Sequence, residues 1–354
     1  MSVALRRLVE RTKSRVGAGP HGHMAYSKAA DQVWLLNGAA ASISVLSGTT
    51  GHPQRTIEIG GTPRHVILDD AGGLGYVGVD DSLAIVEMAG GRVVKRIPLP
   101  SGTAATGLQP MLTRSRMYVL SYDAGELTAV DTVRQQVANT LPTGRGSAWG
   151  QPHENPCGKI HIANAESNDV TVIDDVTESV VASVGVGRRP HRNAIFRERG
   201  LMYTANLDDD SVTAISIETD EVVATVAVAA RPFRLIGVEK KTGRPELWVL
   251  NRGSAELPAG KITVVSGTEH AVINQIEVMD RPSNWLYEGP LVHVVGSRTR
   301  DMLIVDSRSS SVIGAAELSE DPDYDSFSNM VFGAAGNLFI ANAGDSVSVF
   351  VPES

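Results

Sequence analysis

Four histidines and three arginines stand where imidazole and guanidinium chemistry could be combined: His21-Gly22-His23, Arg64-His65, His191-Arg192-Asn193 and Phe233-Arg234. An imidazole titrates near neutral pH and can give or take a proton. A guanidinium holds a carboxylate or phosphate through paired, charge-assisted hydrogen bonds. Trp149, Asn284-Trp285 and Phe327-Ser328-Asn329 add aromatic walls and amides. A few convergent polar groups among apolar walls is the character of a ligand pocket. The expected site therefore uses His21, His23, His65 and His191 for proton transfer. Arg64, Trp149, Arg192, Asn193, Phe233, Arg234, Asn284, Trp285, Phe327 and Asn329 are expected to hold the substrate.

These residues lie far apart in sequence, so only a repeating architecture can gather them. The stretch from Val184 to Pro232 shows the unit most clearly, with HRNAIF, LMYTAN, SVTAIS and EVVATVAV as four short β-segments separated by Gly, Asp and Asn turns. Equivalent positions fall at His21, Arg64, Thr106, Trp149, His191, Phe233, Ser283 and Phe327, stepping by 42–44 residues with one step of 50. The long step holds the insertion RGSAELPAGK after Asn251. Four strands in about 40–45 residues is the period of a propeller blade. Fourth strands follow only seven of the eight units, and the last unit ends at Phe350-Val351. Residues between Val3 and Val16 can supply the missing strand, which would close the ring by pairing both termini and remove an open edge. The expectation is one all-β domain over 1–354, an eight-bladed propeller of four-stranded antiparallel blades. The alternative is seven blades with a detached module. First strands line the axis of such a fold, so the chemistry-bearing positions converge on one rim, and the insertion should lie over that rim.

The recurring pattern is VGxxPH, then a second strand like YVAN and a third like VxVID. It resembles the YVTN-type repeats of bacterial and archaeal propellers. That group is similar to lactonase-like propellers and to the haem-d1-binding propeller of cytochrome cd1 nitrite reductases. The likeness spans nearly the whole chain and implies the fold. The haem-d1 relatives also imply that a wide ring with histidines on opposite sides could suit a flat macrocycle. Fold alone does not carry function.

Most repeat residues have structural explanations. Asn164, Asn206, Asn251 and Asn342 end second strands, and Asp131, Asp174 and Asp306 end third strands as turn acceptors. Gly17, Gly60 and Gly187 permit the turn into the next blade. His153-Glu154 falls in a turn on the opposite rim, and His52, His161, His270 and His293 fall on outer strands or turns. No cofactor is expected, although a divalent metal shared by His21 and His65 on neighbouring blades is open. His191, four blades away, cannot join that shell, because ligand bonds are about 2.0–2.1 Å. Zinc-protease, P-loop and nucleophile-elbow motifs are absent.

A net charge of −8 and a pI near 5.6 argue against nucleic acid and anionic membrane as partners. Cys157 is alone, so no internal disulfide forms. The N-terminal residues lack the apolar core of a secretory signal, which points to a cytoplasmic protein. The leading expectation is an enzyme of lyase, isomerase or hydrolase type, without a redox cofactor, acting on a small anionic or polar organic molecule. The alternatives are a non-catalytic ligand- or protein-binding scaffold and a metal- or tetrapyrrole-binding propeller. Oligomeric state is not legible.

Overall fold

The computed structural model describes residues 8–17, 19, 21–100, 102, 104–111, 114–152, 158–196, 199–239, 244–256, 259–296, 300–318 and 330–352. Among these residues there is no α-helix, and no helix is long and apolar enough to cross a membrane. Strands assemble into eight four-stranded antiparallel sheets, in the order first, second, third, fourth. The fold is that of an eight-bladed β-propeller. First strands are His21–Ser27, Pro63–Asp69, Gly107–Met111, Ser147–Pro152, Pro190–Phe196, Pro232–Glu239, Pro282–Glu288 and Met330–Phe332, and they number blades 1 to 8.

The blades group into two compact units. One spans residues 1–98 and 282–354 and holds blades 1, 2, 7 and 8; the other spans 99–281 and holds blades 3 to 6. Second and third strands carry the core. Gln32–Asn37 is buried at every position, whereas the fourth strand Ser179–Gly185 is mostly exposed. In the first unit Trp34, Leu36 and Ile43 of blade 1 pack against Val66, Val77 and Met88 of blade 2. In the second, Tyr203 and Val212 of blade 5 pack against Leu247 and Val265 of blade 6. Each such aliphatic side chain contributes about 1.5–3 kcal/mol on leaving water.

Blade 8 is composite. Leu8–Arg15 pairs antiparallel with the C-terminal strand Ser346–Pro352, from Leu8 opposite Pro352 to Arg15 opposite Ser346. Its role as a fourth strand is marked by a shared irregularity. In blade 1 the register shifts between Val45 and Leu46, the fourth and fifth residues of the third strand. Blades 2 to 7 shift at the equivalent place. The strand at the chain's start repeats the shift, with Arg11 as the extra residue between Glu10 and Thr12 opposite Val349-Phe350. Such bulges twist an outer strand and blunt it against edge-to-edge association.

The repeat Asn is a clamp. Asn206 Nδ2 donates to Ser211 Oγ at 2.9 Å and to Thr213 Oγ1 at 2.8 Å, pinning the second strand to the third. Asn37, Asn164 and Asn342 make equivalent pairs of bonds. Gly187 is required for a different reason from the one expected. It has no left-handed φ; a Cβ there would sit 2.7 Å from the Asn206 side chain, and Gly17 meets Asn37 in the same way. Gly60, at φ 63°, is a true left-handed turn residue. Asp131 and Asp174 accept from the amides two and three residues on, as turn acceptors do.

Candidate functional site

The candidate residues cluster on backbone irregularities. Register shifts near the start of the first strand occur in blades 1, 2, 4, 5, 6 and 7. In blade 5 four residues from Pro190 to Asn193 face three from Thr204 to Asn206, so His191 and Arg192 lie in the shift. In blade 6 Phe233 is the extra residue between Pro232 and Arg234. A bulge re-aims side chains out of strict alternation. Here it frees consecutive residues from the usual one-in, one-out rule. Arg189, Arg231 and Arg281, each preceding a proline, take left-handed φ of 54°, 56° and 48°. That strain is held by surrounding bonds: Arg231 N donates to Asp210 Oδ1 and Arg189 N to Asn168 Oδ1, both at 2.8 Å.

In the second unit a cationic cluster forms on blades 5 and 6. Arg192 is 7% exposed, Phe233 is buried and Arg234 is half-buried. Arg252, the first residue of the insertion, is placed by its own N–H, which donates to Arg231 O at 3.0 Å. Its guanidinium lies over the Phe233 ring, 4.1 Å from the centroid. The first residue of the insertion therefore lies beside the start of the first strand of its blade. Burial and then the neighbouring guanidiniums of Arg234 and Arg252 push the Arg192 pKa far below its ordinary value. Burial, followed by Arg252, lowers Arg234 to about 9. Burial, followed by Arg192, Arg252 and Arg234, lowers His191 to about 3, so its imidazole is neutral at pH 7. The three guanidiniums are close enough to lower one another's pKa values.

Asn193 has a structural tie: its Nδ2 donates to His161 O of blade 4 at 3.1 Å. Trp149 lies in the first strand of blade 4, with its side chain outside the described residues. Phe327, Asn329, His153, Glu154 and Cys157 also lie outside the described residues.

The first unit brings together a different pair. His23 of blade 1 and His65 of blade 2 stack, with ring centroids 4.0 Å apart and planes 23° from parallel. His65 is buried, whereas its neighbour Arg64 is exposed. His21 begins the first strand of blade 1, and its side chain lies outside the described residues. Asn284 and Trp285 are buried, and the Asn284 side chain accepts from the Trp285 N–H at 2.9 Å. Among the described residues no group of three or more His, Cys, Asp or Glu could hold a metal ion. The sequence reading missed Arg252 as a member of the cluster. Its signal was its place, the first residue after a second strand in the one blade with an insertion.

No protein-family profile matches the chain, and no curated protein matches it. Many solved structures are similar in fold. A dihydro-heme d1 dehydrogenase, NirN, in complex with DHE aligns with a TM-score of 0.70 and 13% identity, over 85% of this chain and 66% of that one. The chain thus spans just under two thirds of that protein. BamB from Moraxella catarrhalis aligns with a TM-score of 0.71 and 13% identity, over 98% of both chains. Hydrazine synthase from Kuenenia stuttgartiensis aligns with a TM-score of 0.60 and 14% identity, over 82% of this chain and 96% of that one. At these identities the likeness is one of fold.

Proposed function

We propose that this chain binds a small anionic organic molecule, carrying carboxylate or phosphate groups, on the arginine cluster of blades 5 and 6. The observation that carries this reading is the gathering of Arg192, Arg234 and Arg252 near His191, with Arg252 over the Phe233 ring. Arg192 and Arg234 supply fork-shaped donors matched to a carboxylate or phosphate. Phe233 supplies a flat apolar face on which the Arg252 guanidinium rests.

His191 gives the site its acid–base character. Burial first, and then the arginine charges, depress the imidazole; a bound anion offsets the second of these, so its basicity rises on binding. Proton transfer is thereby coupled to occupancy, as a lyase, isomerase or hydrolase of a charged substrate needs. Calorimetric titration of the full chain with citrate and with inorganic phosphate, in buffers of different ionisation enthalpy at pH 6, tests this. The reading expects saturable binding accompanied by proton uptake, with uptake lost in His191→Gln. An absence of binding by either probe, or uptake unchanged in His191→Gln, would sink it.

A second reading rests on the stacked His23–His65 pair. Adjacent imidazoles are ready ligands for a transition metal or for the iron of a tetrapyrrole. One of the structures similar in fold is described as a dihydro-heme d1 dehydrogenase with a ligand bound. Haemin titration followed by visible absorption, on the wild type and on His65→Ala, decides it: a spectrum that forms equally in both rejects the pair as the ligand.

A further inference from the structure

The seam between blades 3 and 4 holds a hollow of about 430 Å³, within the roughly 300–1,000 Å³ of small-molecule pockets. Arg114, Arg116, Asn139, Asp175, Thr177 and Glu178 line it. Blades 3 to 6 repeat one cross-blade contact, from the second strand of a blade to the turn after the third strand of the next. Between blades 5 and 6 it is Tyr203 Oη to His270 Nδ1 at 2.9 Å. Between blades 4 and 5 it is Lys159 Nζ to Asp220 at 2.7 Å. Between blades 3 and 4 it is Arg116 to Glu178. Glu178, Asp220 and His270 correspond, each with a left-handed φ of 48–60°.

Blade 3 departs from this scheme in one respect. Tyr118, the counterpart of Tyr203, is fully buried, yet its hydroxyl has no hydrogen-bond partner among the described residues. Asp175 is equally unsatisfied. Its side chain is 1% exposed, Oδ2 meets Arg114 Nε at 3.3 Å, and Oδ1 has no hydrogen-bond partner among the described residues. A buried polar atom left so is destabilising until a partner reaches it. Burial, opposed by Arg114, pushes the Asp175 carboxyl up, and burial pushes the Tyr118 phenol up to about 12.

The charges around the hollow decide the class of ligand. Asp131, Asp174, Asp175 and Glu178 stand against Arg114, Arg116 and Arg134, one surplus negative charge in a closely mixed set. An anion meets the carboxylates and a cation meets the guanidiniums. A hydroxyl meets both favourably, because it donates and accepts. We propose that this seam is a second binding site, for a neutral polyhydroxylated molecule such as a sugar ring. One hydroxyl donates to Asp175 Oδ1 and its neighbour accepts from the half-exposed Arg114. This goes beyond the arginine cluster of blades 5 and 6 and shares no residue with it.

Saturation-transfer NMR on the full chain, with glucose, galactose, mannose and glycine as separate probes, tests it. At least one hexose should bind at millimolar concentration. Asp175→Asn should weaken that binding about tenfold, and Ala138→Trp, on the exposed lip of the hollow, should abolish it. Arg234→Met should leave it unchanged, which separates this site from the anion site. If Asp175→Asn does not fold, Ala138→Trp alone decides. The proposal is overturned if no hexose gives saturation transfer, if glycine binds in preference, or if the hexose signal survives Ala138→Trp.

Discussion

His191 is a base whose strength is set by what surrounds it. With a folded pKa of about 3 against an ordinary 6.5, the unfolded chain takes up a proton that the folded chain refuses. Stability therefore falls as pH drops from about 6.5 toward 3, by linkage. His293, lowered to about 4 by burial, adds to the fall over the upper part of that window. Thermal melting of His191→Gln across pH 7 to 4 should show a shallower loss than the wild type. Equal slopes would mean that other groups govern the acid limb. The identities of His191, Arg192 and Arg234 were legible as chemistry because they depart from the repeat. The depression of the His191 pKa was not, because it depends on Arg192, Arg234 and Arg252 converging from three segments.

At the scale of elements, the clamp and the composite blade carry the predictions. Asn206→Ala removes two buried bonds to Ser211 and Thr213, and should cost about 1–3 kcal/mol, read from chemical denaturation. Gly187→Ala should cost stability too, because its Cβ would meet the same side chain. Should Gly187→Ala melt as the wild type does, the close approach is not what fixes that glycine. Deleting residues 1–15 strips the fourth strand from blade 8. It also removes Leu8 from a core shared with Met330 and Phe350. A clear fall in melting temperature is expected, and an unchanged one would contradict the pairing of the termini. Strand periods of two and turn residues at fixed offsets made nearly every strand readable. The third strand of blade 6 begins at Ala259, two residues before the expected Lys261, because the insertion's last residues extend the ladder. The bulges were not readable, since a one-residue shift leaves the composition of a strand unchanged.

For the molecule as a whole, the repeat explains why function was harder to read than fold. Eight similar units specify their cores with Val, Ile, Leu and clamp residues, and these say nothing about a ligand. What distinguishes one blade from another is a handful of side chains at bulges and seams. The central claim is that the arginines of blades 5 and 6 bind an anion. The most direct measurement is the melting temperature of Arg234→Met, without ligand and across a citrate titration. The claim predicts that citrate raises the melting temperature of the wild type more than that of Arg234→Met. It also predicts citrate affinity weakened about tenfold, the loss of one charge-assisted contact of roughly 1.5 kcal/mol. A lower melting temperature without ligand, together with an unaltered response to citrate, would show that Arg234 is architecture and that the anion site is not there.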